Sequence, residues 1–458
     1  MRLSRITVKS LFGVFNHDVP LNKDSGITII IGENGLGKTR ILEAVSALFD
    51  KRYDFFRALD FEEFSLVFDN GDIWKLTKNL KSENCVLFIS RDSLLKPVQK
   101  PKLHKIYQEN DNYRRAMRLS EREMMHRRMA EMEWELDFHD VSQNDLELYS
   151  KHLDLRKEYE YRKLVEKNFR RKLFLEQNSE PGIDFPKWFI DGIEHIKVKL
   201  IETQRIITAK EIGSDSYVNS LSRCSEELKK MISRAGNNST LVASELDSSY
   251  PNRLVKKLRQ GSLDSFDDLK KALAKLDNRR KLFSSAGLAV KISDSDLLKI
   301  DDKQKDLINV LKLYIDDSHK KLDPYEEISS KIILFKSIIN KRFKHKKLEI
   351  KQGEGLVFRS TVVKNTDGSY ETIPAAKLSS GEQNELILFF KLIFNSQKND
   401  VILIDEPELS LHISWQNKFI KDLREVTSLN DVSIVIATHS PDIIDENWDL
   451  KVELLGIE

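Results

Sequence analysis

One stretch constrains this chain more than any other: Ile27 to Val45, which reads I-T-I-I-I-G-E-N-G-L-G-K-T-R-I-L-E-A-V. Gly32, Gly37, Lys38 and Thr39 fit G-x-x-x-x-G-K-[ST], with an apolar strand pattern before them and a helical pattern after. That flanking context separates a phosphate-binding loop from a chance match. The glycines let backbone N–H groups turn inward and cradle phosphate oxygens, at a helix N-terminus whose dipole favours anions. Lys38 adds a charge for the β- and γ-phosphates, and the Thr39 hydroxyl can complete a Mg²⁺ shell. Gly32, Asn34, Gly35, Gly37, Lys38, Thr39 and Arg40 are therefore the expected nucleotide-binding residues. A chain organised around this loop binds a nucleotide.

With 458 residues there is room for two or three domains, or for one core with a large insertion. The net charge of +2 argues neither for nor against nucleic acid, since a basic patch can hide in a neutral total. Cys85 and Cys224 stand in unrelated contexts and offer neither a disulfide framework nor metal-ligand spacing. The N-terminus alternates like a strand and has no signal-peptide core, and no run approaches the roughly 20 apolar residues of a membrane span. The expectation is a soluble, cytoplasmic protein with no membrane partner.

Leu3 to Val8 alternates apolar and polar residues before Leu11 to Phe15 breaks the pattern at Gly13. Phe12 and Phe15 can be core aromatics or can stack on a base. Phe64 to Phe68 and Ile73 to Leu76 read as a hairpin around Asn70-Gly71, and Val86 to Ile89 as another short strand. Up to about residue 95 the chain is mostly sheet. Between Asp111 and Glu180, 31 of 70 residues are charged and glycine and proline are absent, which is long-helix composition. Met125, Met129, Met132 and Leu136 fall on one helical face, either as a hairpin seam or as an adaptable docking surface. Heptads are not sustained, and the stretch is too short for a long coiled coil.

After the break at Pro181 to Pro186, Ile196 to Ile201 resembles a strand ending in Glu202-Thr203-Gln204-Arg205. A second helical segment runs from about Tyr217 to Asn340, with interruptions expected near Ser248 to Pro251 and Ser284 to Gly287. The basic run Lys341 to Lys347 can touch a phosphate backbone or can be a solvated helix end feeding the next strand. Leu348 to Ile350 and Leu356 to Val363, with a turn at Asp367-Gly368, read as another hairpin.

Three features near the C-terminus complete the chemistry. Val401 to Ile404 is a buried-strand pattern ending in Asp405 and Glu406, the first placed for Mg²⁺ and the second to polarise an attacking water. Ile434 to Ala437 is a further buried strand, leading to Thr438-His439-Ser440, where His439 can sense the γ-phosphate. Leu378-Ser379-Ser380-Gly381-Glu382-Gln383 precedes a helix expected over Asn384 to Phe394, and its N-terminus is a second anion site.

The last of these resembles the signature motif of ABC-type ATPases, and Glu408 to His412 resembles their D-loop. The resemblance implies that Ser379, Ser380, Gly381 and Glu382 cap the γ-phosphate of a nucleotide bound by a second copy of the chain. It also implies that Glu406 and His439 are catalytic, and that Mg²⁺ is held by Thr39, Asp405 and a strand-end glutamine, for which Gln204 is the candidate. Within that superfamily the G-E-N-G-x-G-K-T, E-P-E-x-x-L-H and A-T-H-S-P forms are similar to the SMC/RecF/OLD branch, over residues 1–95 and 345–450. The L-F-G start, the 188–205 segment and L-D-S-S-Y-P-N-R at 246–253 resemble stand-alone ATPases of bacterial anti-phage systems. Only 19 residues follow His439, so a nuclease, if one is involved, is expected to act in trans.

The fold expectation is accordingly α/β: an ABC-type P-loop ATPase head, with a mixed sheet and helices, interrupted by a large charged helical insertion. Its parts would be an N-terminal lobe over 1–95, a charged helical hairpin over 96–185, a returning strand with further helices over 186–345, and a C-terminal lobe over 346–458. The cofactors expected are ATP and Mg²⁺. The expected partners are a second copy of the chain, a separate effector nuclease of Toprim or HNH type encoded nearby, and a phage-protein trigger or DNA. The alternative function is a RecF- or SMC-like repair ATPase that binds duplex DNA directly.

Overall fold

A computed structural model describes residues 1–79, 85–95, 101–108, 185–202, 215–260, 266–288, 305–409 and 411–456. The methionine-bearing face, most of the charged segment and Gln204 lie outside the described residues. Two compact units emerge: one of residues 1–21, 32–198 and 452–458, the other of residues 22–31 and 199–451.

The first unit is built on an antiparallel sheet. Alternation in β1 (Leu3–Leu11) buries Leu3, Ile6, Val8 and Leu11. β2 (Phe15–Pro20), β4 (Glu63–Phe68), β5 (Asp72–Asn79), β6 (Val86–Ser93) and β7 (His104–Gln108) complete the order β2-β1-β4-β5-β6-β7. The Asn-Gly turn forms as expected: Gly71 has φ +83°, and Asn70 Oδ1 accepts from the Asp72 amide. β7 is a departure, because it pairs with β6 beyond residue 95, where a helical insertion was expected to begin. Over the sheet lie α1 (Lys38–Phe49), the short α2 (Phe55–Ala58) and α3 (Lys187–His195), the last two unforeseen. Trp74 is the hub, against Phe49, Phe68, Trp188 and Phe189. α3 packs so close that a Cβ at Gly192 would collide with the Trp74 ring.

The second unit centres on parallel strands. β3 (Ile27–Ile31) pairs with β13 (Ser433–Ala437), which pairs with β12 (Val401–Asp405). Their unbroken apolar runs are those of strands covered on both faces, and Ile402, Leu403, Ile404, Ile434, Val435 and Ile436 are all buried. β8 (Val198–Glu202) is the returning strand expected near 196–201 and lies beside β12. A separate sheet, β11-β10-β9, joins β9 (Lys346–Lys351), β10 (Gly355–Lys364) and β11 (Tyr370–Ile373), so the expected hairpin is three-stranded.

The helices of this unit are α4 (Asp215–Gln260), α5 (Phe266–Ser285), α6 (Lys305–Leu322), α7 (Glu326–Arg342), α8 (Ser380–Phe394), α9 (Ile413–Asn430) and α10 (Pro441–Ile444). The break expected near Ser284 to Gly287 is where α5 ends. The other is not found: α4 runs straight through Pro251. A proline removes an N–H and crowds the carbonyl one turn back. Side-chain bonds tie the turn that precedes the proline: Ser249 Oγ donates to Glu245 O at 2.8 Å and Arg253 Nη2 to Leu246 O at 2.7 Å. Arg253 is itself held by Asp317 of α6. The insertion docks on the small sheet through the Leu356 amide, which donates to Ser225 Oγ at 3.1 Å, and through Gly287, where a Cβ would collide with the Ile350 carbonyl.

The basic run at 341–347 divides. Arg342 is buried, ion-paired with Glu385 of α8 and Asp422 of α9, its guanidinium 4.7 Å from the Phe389 ring centroid. Lys346 pairs with Glu382 at 2.7 Å. These two are used in packing the helix end and the following strand, while Lys344 and Lys347 remain exposed. No helix among the described residues is long and apolar enough to cross a membrane.

Candidate functional site

In the first unit the phosphate loop leads into α1, with Gly37 as the N-cap residue at φ +89°. Gly32 and Gly35 also have positive φ, at +152° and +90°. Space, as well as φ, restricts two of them. A Cβ on Gly37 would lie 2.5 Å from Leu11 Cδ2, and one on Gly32 would lie 2.9 Å from the Leu454 carbonyl oxygen. At Gly35 the same position is open, so the loop is braced at its ends and clear in its middle. Lys38 is buried and donates from Nζ to the carbonyls of Gly32 (2.7 Å) and Glu33 (3.0 Å), which curls the loop around its ammonium. Thr39 and Arg40 are exposed, with Arg40 bonded to Glu43 one turn along. Asn34 is exposed on the loop.

Two features brace this loop that its motif does not announce. His17 Nε2 is 2.8 Å from the Leu36 carbonyl, and burial holds the His17 pKa below its usual value against the raising effect of that bond. Phe12, at φ +55° and 41% exposed, lies against Gly37: its ring edge would be 3.1 Å from a Cβ there. Phe12 and Phe15 form an edge-to-face pair at 6.5 Å.

In the second unit the register of the parallel strands aligns their C-terminal ends. Asp405 is opposite Ala437, and Ala437 is opposite Ile30. The residues just beyond are those with chemistry. Glu406 takes a left-handed φ of +47°, its amide donating to Ala437 O at 2.9 Å. Its carboxylate Oε1 stands 3.0 Å from His439 Nε2. A non-glycine residue held at such a φ is strained, and strain of this kind gathers where a side chain must be aimed.

Glu408 acts on the same histidine from the backbone side. Its Oε1 accepts from the His439 amide and its Oε2 from Thr438 Oγ1, both at 2.8 Å. Thr438 Oγ1 accepts in turn from the Ser440 amide at 3.0 Å, and Ser440 Oγ donates to Gln416 Oε1 at 2.7 Å. Glu408 was legible only as the opening of a D-loop-like segment. The signal for its contact was the E-P-E spacing, which puts two carboxylates on one side of a tight turn.

The signature segment begins α8 earlier than expected, at Ser380 rather than Asn384. Ser379 is the N-cap: its Oγ accepts from the Glu382 amide, and Glu382 Oε2 accepts from the Ser379 amide at 2.7 Å. This reciprocal box fixes the first turn. Glu382 is thus tied to the cap and to Lys346, while Ser380 is exposed and the space beside Gly381 is open.

The chain matches the family described as AAA ATPase domain over residues 1–444. It belongs to that family. As an AAA ATPase domain it has the α/β P-loop head with a helical insertion that its motifs imply. The thiamine import ATP-binding protein ThiQ of Ruegeria sp. (strain TM1040) is 32% identical to it over 75 residues, 16% of this chain and 31% of that protein. The chain therefore spans less than a third of that curated relative's length. Among solved structures, an Smc head domain with an extended coiled coil, bound to the C-terminal domain of ScpA, from Pyrococcus furiosus, is 13% identical, covering 97% of this chain and 91% of that one at a TM-score of 0.32. The SMC head domain from Thermotoga maritima is 11% identical, covering 100% and 96% at a TM-score of 0.32. Overlap at that level carries no argument about partner or assembly.

Proposed function

We propose that this AAA ATPase domain binds ATP with Mg²⁺, hydrolyses it between two copies of the chain, and uses the bound state as a signal to a partner. The observation that carries the reading is the Glu406–His439 pair, a carboxylate and an imidazole 3.0 Å apart just past the aligned ends of β12 and β13. Lys38 and the loop amides bind the β- and γ-phosphates, the ammonium exchanging its two carbonyl partners for phosphate oxygens. Thr39 and Asp405 offer a hydroxyl and a carboxylate, the oxygen donors Mg²⁺ prefers, and Gln204 is proposed as a third. When bound, Mg²⁺ neutralises charge on the β- and γ-phosphates. Glu406 accepts a proton from the attacking water, and His439 orients Glu406 and meets the γ-phosphate. Ser379, Ser380 and Gly381, with Glu382 holding the turn, present an N-terminus suited to the γ-phosphate of the other copy.

The domain is further proposed to serve as the cytoplasmic sensor and scaffold subunit of a bacterial anti-phage system of the kind that the AriA subunit of PARIS, or a cousin such as PtuA of Septu, represents. In this role it holds or releases a separate effector nuclease of Toprim or HNH type in response to a phage protein or DNA. Support comes from the resemblance at 188–205 and 246–253 and from the large insertion available for a partner. Sizing the protein with and without ATP, alone and co-expressed with its gene neighbours, tests this. An ATP-independent monomer that captures no neighbour would refute it.

A second reading, a repair ATPase acting on duplex DNA, is favoured by the exposure of Lys344 and Lys347. It requires salt-dependent, ATP-stimulated duplex binding that weakens when both lose their charge.

A further inference from the structure

We propose that Glu408 is a positioning residue for hydrolysis, setting His439 against Glu406 by gripping the backbone of the strand end that carries it. This deepens the proposed function and rests on its assignment of Glu406 and His439. The geometry is a closed loop. Glu406 and Glu408 are separated only by Pro407, whose ring restricts the turn between them. One carboxylate reaches the His439 imidazole at 3.0 Å and the other reaches the His439 amide at 2.8 Å. The same histidine is thus held at both ends by one three-residue segment.

The second oxygen of Glu408 makes the hold directional. It accepts from the hydroxyl of Thr438, which has no exposure and is anchored to the sheet through its own amide, 3.2 Å from Ile30 O. With Thr438 fixed, rotation of the Glu408 carboxylate is blocked, and the His439 amide has one place to point. Hydrogen bonds to an ionised acceptor are about twice as strong as neutral ones, so this grip outlasts the weaker contacts of an exposed loop. Glu408 itself touches neither the imidazole nor Glu406 in any contact described above. Its effect on the reaction passes through the backbone.

Substitutions at Glu408 separate the two contacts from their loss. In E408Q the side-chain amide would keep one acceptor for the His439 amide and could donate its NH₂ to Thr438 Oγ1, whose hydroxyl proton then points elsewhere. An alanine keeps neither. E408A should therefore lower kcat by about tenfold or more, the scale on which small misplacements of a catalytic group act. KM for ATP should be little changed, because no phosphate-loop residue is touched. E408Q should recover the larger part of the lost rate. Combined with H439A, E408A should cost nothing further, since there is no imidazole left to place.

The test pairs steady-state ATPase kinetics of the full-length wild type, E408A, E408Q, H439A and E408A/H439A with backbone hydrogen exchange across residues 433–445. Exchange at 438–440 should quicken in E408A and be largely restored in E408Q. Unchanged exchange in E408A would refute the grip without any reference to turnover. Faster exchange with undiminished kcat, in a protein where H439A is slow, would refute its role in positioning, as would full additivity in the double variant. Wild-type kcat in H439A would instead sink the assignment of His439 on which the proposal rests, and the exchange result tells the two failures apart.

Discussion

His439 Nε2 stands 3.0 Å from Glu406 Oε1, and Glu406 itself has a left-handed backbone φ of +47°. The distance is that of a hydrogen bond, so the two side chains act as a coupled pair. Replacing Glu406 with glutamine keeps size and a partner for the imidazole but removes the base. E406Q should bind ATP with near wild-type affinity and hydrolyse it about a hundredfold or more slowly, within the range of general-base losses. It should also accumulate the ATP-bound pair, read by light scattering in ATP against ADP. Normal turnover in E406Q would remove Glu406 as the base.

Lys38 holds the phosphate loop in shape through Gly32 O and Glu33 O, so its loss has two effects. K38A should abolish binding of a fluorescent ATP analogue and also quicken exchange of the loop amides in the absence of nucleotide. G37A adds a Cβ 2.5 Å from Leu11 in a backbone conformation that disfavours it. The strain should cost about 1–3 kcal/mol, read as a lower melting temperature together with lost nucleotide binding.

Arg342 is enclosed with two carboxylates, and Glu385 Oε2 has no hydrogen-bond partner. R342A would leave two buried acids without their cation, which is expected to destabilise by about 3–5 kcal/mol. Replacing all three residues with apolar ones of similar volume should recover most of that loss or exceed it. Urea denaturation of the two variants decides this, and equal losses in both would refute it.

Burial lowers the His17 pKa below its unfolded value of 6.5. The unfolded chain then takes up a proton at a higher pH than the folded one, so stability rises with pH through this window. The contribution is complete above 6.5 and is lost as the pH falls through the depressed folded value. H17Q should flatten the acid side of the stability profile in that range. A profile identical to wild type would mean that another group sets it.

What could be read in advance was what the chain encodes locally. The phosphate loop, its strand and α1 follow from glycine positions and apolar runs within twenty residues of one another, and β12 and β13 from unbroken apolar runs. The start of α8 is also locally written, in the Ser379–Glu382 box, but the apolar run behind that box is the louder signal. The other misses depend on distant partners. Pro251 looks like a helix end until Asp317 is known to hold Arg253 from 64 residues away. Arg342 looks like part of a phosphate-binding patch until Glu385 and Asp422, 43 and 80 residues on, are seen to enclose it. β7 is five residues of weak alternation that acquires meaning only beside β6.

The pairing of β3 with β13 has a consequence for biosynthesis. Ile27 meets Ile434 across the sheet, so the strand that bears the phosphate loop gains this neighbour only when some four hundred further residues have been made. Some four hundred residues will have been synthesised while Ile27-Thr28-Ile29-Ile30-Ile31 still lacks the strand that covers one of its edges. Such a run is a template for unwanted strand addition while it waits. The open edge of β3 is therefore where the growing chain is exposed to misassembly until β13 has been made.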